Sequence, residues 1–284
     1  MAQVIERFDA GEFFCRRGPV SDMVRPMSEL GKNDDLSTTH FGFSEVPVAE
    51  KTARVRAVFD SVSSRYDLMN DLMSGGIHRL WKSVLIDQLN PQAGMEIVDV
   101  AGGTGDIARR ILARCKGAAR VTVCDINASM LTAGRDRSID RGELAGDAAA
   151  DLVCGNAEAL PLADASLDAY TIAFGLRNVT HIDKALAEAR RVLRPGGHFL
   201  CLEFSRVVVP MLTPIYERYS FTVLPQLGAL VARDRDSYVY LAESIRKFPP
   251  QDELATMLRD ADFDQVSYRN LSGGIAAIHS AWRI

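Results

Sequence analysis

Glu96-Ile97-Val98-Asp99-Val100-Ala101-Gly102-Gly103-Thr104-Gly105-Asp106 is the stretch on which the reading of this chain turns. A short apolar strand carries an acid near its end and enters a glycine-rich turn. The turn opens a helix through Ile107, Ala108, Ile111 and Leu112. Glycine suits such a turn because, without a Cβ, it tolerates positive φ and lets a ligand come close. The free N–H groups of the helix start then face whatever lies across the strand ends.

Outward from this turn, strand and helix alternate, which marks a parallel sheet with right-handed crossovers. The second strand, Val121 to Cys124, ends at Asp125, and Asn127 is placed to cap the following helix. Asp151 to Cys154 is the third strand and releases Gly155-Asn156-Ala157 from its end. Leu167 to Phe174 is the fourth, ending in Gly175-Leu176-Arg177-Asn178, and His198 to Phe204 is the fifth. Arg194-Pro195-Gly196-Gly197 stops the helix between them. Two final strands flank Ser272-Gly273-Gly274, a connection typical of a hairpin. Upstream, Pro47 is placed to begin a helix whose apolar face is Val55, Val58, Phe59 and Val62. A second helix puts Ile77, Leu80, Trp81, Val84, Leu85 and Leu89 on one face and ends at Asn90-Pro91. Residues 1–46 have no period and read as a poorly ordered extension. Residues 206–248 are richer in Val, Leu, Phe and Tyr than a crossover needs, and read either as a helical excursion packed on the sheet or as a lid over an apolar substrate.

Composition excludes several classes. A formal charge of −4 over 284 residues gives no electrostatic case for nucleic-acid binding. The five cysteines show no Cys-x-x-Cys spacing, and the histidines no ligand pair, so thiols in a reducing compartment and no metal are expected. No apolar run approaches the ~20 residues of a membrane span.

Two cofactor classes use a strand, glycine turn and helix in this order. Gly103-x-Gly105-x-x-Ala108, with Asp125 about 20 residues on, fits the dinucleotide fingerprint. Asp99-Val100-Ala101-Gly102-Gly103-Thr104-Gly105 resembles instead the first motif of S-adenosylmethionine (SAM) methyltransferases. Asp99 favours the second, because a carboxylate beside the turn repels a pyrophosphate but accepts hydrogen bonds around the cationic methionine end of SAM. The antiparallel final pair points the same way. Asp125 would then accept from the ribose hydroxyls, with Asn156 and Ala157 at the adenine edge. An Asx turn at Asn156 and a helix-capping role for Asp125 are the plainer alternatives. For Arg177 the alternative is an ion pair with a surface carboxylate, although none stands close by in sequence.

Ser61 to Lys82, which contains Tyr66-Asp67-Leu68-Met69-Asn70-Asp71, resembles the N-terminal signature of the ubiquinone/menaquinone biosynthesis C-methyltransferases. Thr171 to Thr180 is similar to their second signature. Arg194 to Gly197, Leu202-Glu203-Phe204-Ser205 and Tyr240 to Pro249 follow the same family. The likeness runs from about Thr39 to the C-terminus. It implies an α/β class I SAM-dependent methyltransferase fold, Rossmann-like, with a seven-stranded, mostly parallel sheet and an antiparallel last strand. The domain would occupy residues 47–284, with N-terminal helices over 47–90. It further implies that Asp99, Gly103, Thr104, Gly105, Asp125, Asn156 and Ala157 bind SAM, while Tyr66, Arg177 and Asn178 face a prenylated quinol. Where many relatives carry a serine against SAM, this chain has Ala173. Arg177 is a poor base, since its pKa exceeds about 12, so phenolate stabilisation or orientation of a water is its expected role. The lid would take the isoprenoid tail and touch the membrane surface transiently, which implies a cytoplasmic protein, peripheral at the inner membrane. A homodimer or a quinone-biosynthesis complex stays open. The alternatives are an O- or N-methyltransferase of small molecules, or a non-catalytic subunit on the same fold.

Overall fold

The computed structural model describes residues 38–62, 71, 74–142, 150–227, 229 and 235–284. Seven strands form one sheet in the order β5-β4-β3-β6-β7-β9-β8. They are β3 (Glu96–Val100), β4 (Arg120–Asp125), β5 (Asp151–Cys154), β6 (Leu167–Ala173), β7 (Leu193–Phe204), β8 (Asp264–Leu271) and β9 (Ala276–Arg283). β3 pairs in parallel with both β4 and β6, whereas β9 runs antiparallel to β7 and to β8. This is the sheet expected from the sequence.

Each strand alternates its side chains between two apolar layers, as the two-residue period of a strand requires. On one face Ile97, Val121, Leu200 and Leu202 pack with Trp81, Leu85 and Leu89 of α2 (His78–Leu89) and Ile107 and Ile111 of α3 (Asp106–Arg114). On the other, Val98, Val100, Ile172 and Phe199 pack with Leu186 and Ala189 of α5 (Ile182–Val192) and Leu254 and Leu258 of α9 (Gln251–Asp260). α1 (Val48–Val62) packs on α4 (Ala128–Asp140). Asn127 caps α4, accepting from the Ser129 N–H at 2.9 Å.

Four local expectations change. The face of α2 is turned from the one read in sequence. Ile77 and Leu80 are exposed, and the buried row is His78, Trp81, Lys82, Leu85, Ile86 and Leu89. Polar His78 and Lys82 go inward because each has a partner, Ser74 Oγ at 2.9 Å and Asp106 at 2.9 Å respectively. Second, Arg194 to Gly197 lie inside β7 rather than before it, as an irregularity between the pairs Leu167–Leu193 and Ala169–His198. Third, residues Thr38–Phe41 (β1) and Ser44–Pro47 (β2) form an antiparallel hairpin, with α1 starting at Val48. Phe41 stacks on Tyr240 with ring centroids 4.2 Å apart, and the Phe43 N–H donates to Glu243 at 3.0 Å.

Fourth, the segment 206–248 divides. α6 (Thr213–Arg218), a π-helical turn (Tyr219–Val223) and α7 (Leu224–Leu227) lead to α8 (Arg235–Lys247). Tyr238 and Leu241 of α8 are fully buried and belong to the core, whereas Val208, Met211 and Phe221 are exposed. Among the described residues no helix is long and apolar enough to cross a membrane, and no group of side chains could hold a metal ion. The described cysteines, Cys115, Cys124, Cys154 and Cys201, are all free thiols.

Candidate active site

The strand order reverses between β3 and β6, so their C-terminal ends leave the crevice where open α/β sheets take ligands. Both strands end on a residue in the left-handed region, Ala101 at φ 50° and Phe174 at φ 58°. Such a conformation costs a non-glycine residue on the order of 1–2 kcal/mol. Both residues line one cavity of about 90 Å³. The backbone strain is therefore concentrated on the wall of the crevice.

Asp125, at the end of β4, organises the floor. Its Oδ2 accepts the Gly103 N–H and its Oδ1 the Asn127 N–H, each at 2.8 Å. Gly103 sits at φ 55°, which the turn requires and glycine tolerates without a penalty. A carboxylate has about four acceptor sites, so Asp125 can hold the turn and still accept from a ligand. Burial pushes its pKa upward, against those two N–H bonds and the Arg56 charge. Asn156 and Ala157 after β5, and Asn178 after β6, complete the wall. Helix α1 roofs the same cavity with Thr52, Val55, Arg56 and Phe59. Two latches hold this roof: Lys51 Nζ donates to the Val179 carbonyl at 3.1 Å, and Asp60 accepts from Asn127 at 2.9 Å and Ser129 at 2.6 Å.

Asp99 lies behind the turn, fully buried. Its Oδ1 accepts the Thr171 hydroxyl at 2.9 Å, while its Oδ2 has no hydrogen-bond partner. Burial lifts its pKa to about 7. A Cβ on Gly102 would stand 2.7 Å from that Oδ2, so only glycine lets the turn pass this close to the carboxyl. An orphaned buried acceptor needs a donor or a cation, and the ammonium end of SAM is both. The residues present therefore fit the cofactor. Asp99, Thr104 and Gly105 do not reach the cavity wall. Gly105 stands before the first turn of α3, and the Thr104 carbonyl lies against α4 at Gly134. Asp106 serves the fold: although burial opposes it, Lys82, Arg110 and Arg109 hold its pKa well below the usual carboxylate range.

Arg177 departs most from its sequence reading. It has a carboxylate partner after all, Glu203 at the end of β7, and both side chains are 2% exposed. Arg177 Nη1 donates to Glu203 Oε1 at 2.8 Å and also to the Phe174 carbonyl. The Arg177 N–H reaches Glu203 Oε2 at 3.3 Å. Arg177 Nε is buried without a hydrogen-bond partner. Next to it, Asn178 Oδ1 accepts the Tyr240 hydroxyl at 3.0 Å. Tyr66 lies outside the described residues.

A second cavity, of about 280 Å³, opens under α6 between Ser205, Tyr216, Ser220, Phe221 and Ile245. Neither member of the ion pair lines either cavity, but sequence neighbours of each do. Asn178, the neighbour of Arg177, lines the first; Ser205, two residues beyond Glu203, lines the second, and the Arg177 charge acts on Tyr216 there. Burial pushes the Tyr216 hydroxyl to about 12. Sequence reasoning missed Glu203, Lys51, Arg56 and Tyr240. An acid near the end of an otherwise apolar strand was the available signal for Glu203.

A seven-stranded sheet with β9 reversed, an acid after β4 and a roofed crevice at the switch point define a SAM-dependent methyltransferase. A Thermotoga maritima SAM-dependent methyltransferase, described as a possible histamine N-methyltransferase, shares the fold at a TM-score of 0.58 and 18% identity, covering 81% of this chain and all of its own. The chain belongs to the ubiE/COQ5 methyltransferase family, whose model matches residues 48–283. Relatives called ubiquinone/menaquinone biosynthesis C-methyltransferase UbiE are 58% identical in Paracoccus denitrificans over 251 residues, 88% of this chain and 99% of the relative. In Methylobacterium nodulans the identity is 59% over 252 residues, 88% and 98% respectively.

Proposed function

We propose that this chain transfers the SAM methyl group to a ring carbon of a prenylated quinol, a benzoquinol of ubiquinone synthesis, a demethylmenaquinol of menaquinone synthesis, or both. Family membership and the names of its relatives support the reaction class. The observation that carries the substrate reading is the buried Arg177–Glu203 ion pair next to Asn178 of the crevice wall, with the guanidinium Nε left without a hydrogen-bond partner. When bound, SAM supplies an electrophilic methyl group on a sulfonium.

The protein's own work is then positional and electrostatic. Asp125, Asn156 and Ala157 fix the nucleoside, and Asp99 fixes the amino-acid end. The quinol ring occupies the space beside Arg177 and Asn178, completed by Tyr66. A ring carbon becomes nucleophilic once the neighbouring hydroxyl loses its proton. Arg177 stabilises the phenolate or orients the water that takes that proton, since a guanidinium does not deprotonate. Asn178, with its Oδ1 held by Tyr240, keeps its amide N–H groups for a ring oxygen. Methyl transfer then needs in-line placement, worth several kcal/mol.

The isoprenoid tail leaves through the second cavity, past Phe221 and Ile245. Exposed Phe221 on the cavity wall, with exposed Val208 and Met211 in the same segment, touches the membrane surface from which the quinol is drawn. Sedimentation with and without vesicles separates membrane contact from a homodimer or larger assembly. Quinone profiling of a host lacking its own C-methyltransferase tests the whole reading. Restored methylated quinone is expected, and a persistent demethyl precursor despite folded protein would overturn it.

A further inference from the structure

Glu203 makes no contact that its fold position demands. β7 is already paired on both edges and its neighbours Leu200, Cys201, Leu202 and Phe204 are buried and apolar, yet this residue carries a carboxylate into the core at 1% exposure. Burying an ion is costly unless it is paired. Glu203 is met by the Arg177 guanidinium at 2.8 Å, the Arg177 N–H at 3.3 Å and the Phe204 N–H at 2.9 Å. Every one of those bonds engages Arg177 or the end of Glu203's own strand. Two consequences follow. With Nη1 shared between Glu203 and the Phe174 carbonyl, the guanidinium plane is fixed and Nε becomes the unused edge. And the pair itself adds no net charge beside the crevice, whose wall carries Arg56, Asp125 and Glu158. An uncompensated Arg177 would repel the sulfonium, since like charges in a poorly solvated site interact far more strongly than in water.

We infer that Glu203 is the positioning residue of the active site. It aims Arg177 at the ring oxygens and cancels the Arg177 charge, so that a cationic methyl donor can bind next to an arginine. This rests on the reading of Arg177 given above. It makes a demand that a merely structural ion pair does not. SAM and S-adenosylhomocysteine share the nucleoside and amino-acid ends and differ in the sulfonium charge. Loss of the Glu203 charge must therefore weaken SAM more than S-adenosylhomocysteine.

The experiment is calorimetric titration of both ligands into the wild type, Glu203→Gln, Glu203→Asp and the double variant Arg177→Gln/Glu203→Gln, alongside single-turnover methylation of a short-tailed quinol. In Glu203→Gln the SAM-to-S-adenosylhomocysteine affinity ratio is expected to fall about tenfold. In the double variant the ratio should return to wild type while turnover stays low. Glu203→Asp keeps the charge but shortens the arm, so the ratio should hold while kcat drops at least tenfold with KM for SAM unchanged. Equal weakening of both ligands in Glu203→Gln, or a ratio that the double variant does not restore, overturns the charge argument. Wild-type kcat in Glu203→Asp overturns the positioning argument, even if Glu203→Gln does not fold. Wild-type turnover in Arg177→Lys, with the ratios as expected, would remove the catalytic reading of Arg177 and leave the charge compensation standing.

Discussion

Replacing Asp99 with asparagine deletes a buried charge while keeping the oxygen that holds the Thr171 hydroxyl. The consequence follows from the position of Asp99. Burial raises its pKa to about 7, with the Thr171 bond and Lys82 working the other way. In the free protein it is then roughly one-tenth ionised at pH 6 and nine-tenths at pH 8. Only the ionised form attracts the ammonium of SAM, so the apparent Kd at pH 6 should be about tenfold weaker than at pH 8. A cation favours the charged form, so binding lowers the Asp99 pKa. Complex formation at pH 6 must therefore expel close to one proton.

The sign for stability is opposite to that of an ordinary ion-paired acid. A folded pKa above the unfolded value of 3.8 means the native state holds the extra proton between about pH 4 and 7. The Asp99 contribution to the stability of the free protein falls as pH rises through that window, opposite in sign to those of buried His78 and His198, so it is read as the difference between wild type and Asp99→Asn. The assay is titration of SAM at pH 6, 7 and 8 in buffers of differing ionisation enthalpy. Asp99→Asn should bind weakly at every pH and release no proton through this site. A flat pH profile in the wild type, with no buffer-dependent heat at pH 6, would refute the reasoning.

Arg177→Lys keeps the charge but loses the planar guanidinium whose Nη1 donates to both Glu203 and the Phe174 carbonyl and whose Nε is left for a ligand. Turnover at saturating SAM is expected to fall roughly a hundredfold, with SAM affinity within a few-fold, and wild-type turnover would make Arg177 a structural partner only. Asp125→Ala removes the acceptor that holds Gly103 and faces the cavity, so SAM binding should be lost by calorimetry while the protein still melts cooperatively. NAD, tested in the same melt, should not raise Tm as SAM does. Met211→Ser with Phe221→Ser should reduce co-sedimentation with anionic vesicles, and an unchanged partition would return this face to ordinary surface.

The sheet was legible because its signals are local. Glu96 to Val100, Val121 to Cys124 and Asp151 to Cys154 each announce themselves by an apolar run closed by a glycine or an acid. The order of those ends then brings Gly103, Asp125, Asn156, Ala157 and Asn178 to one cavity without any pairing being known in advance. What stayed hidden needed contacts across the chain. Glu203 is 26 residues from Arg177 and meets it only because β7 lies beside β6. Searching for the arginine's partner nearby in sequence therefore failed. Lys51 carries no signal of burial in the pattern of its helix, yet it is 1% exposed and tied to the Val179 carbonyl. The left-handed conformations of Ala101 and Phe174 carry no signal at all, since neither residue type favours them.

These omissions share a cause. The residues that touch a ligand come from loops, where short motifs betray them. The residues that aim them come from strands and helices whose local pattern is satisfied by any apolar side chain. A charged residue there is paid for only by a partner, so a lone Glu inside Leu202-Glu203-Phe204 already states that a buried cation faces it. Read that way, the search for the guanidinium begins from the carboxylate. The neighbour of β7 ends in the one arginine that sequence had placed beside the donor.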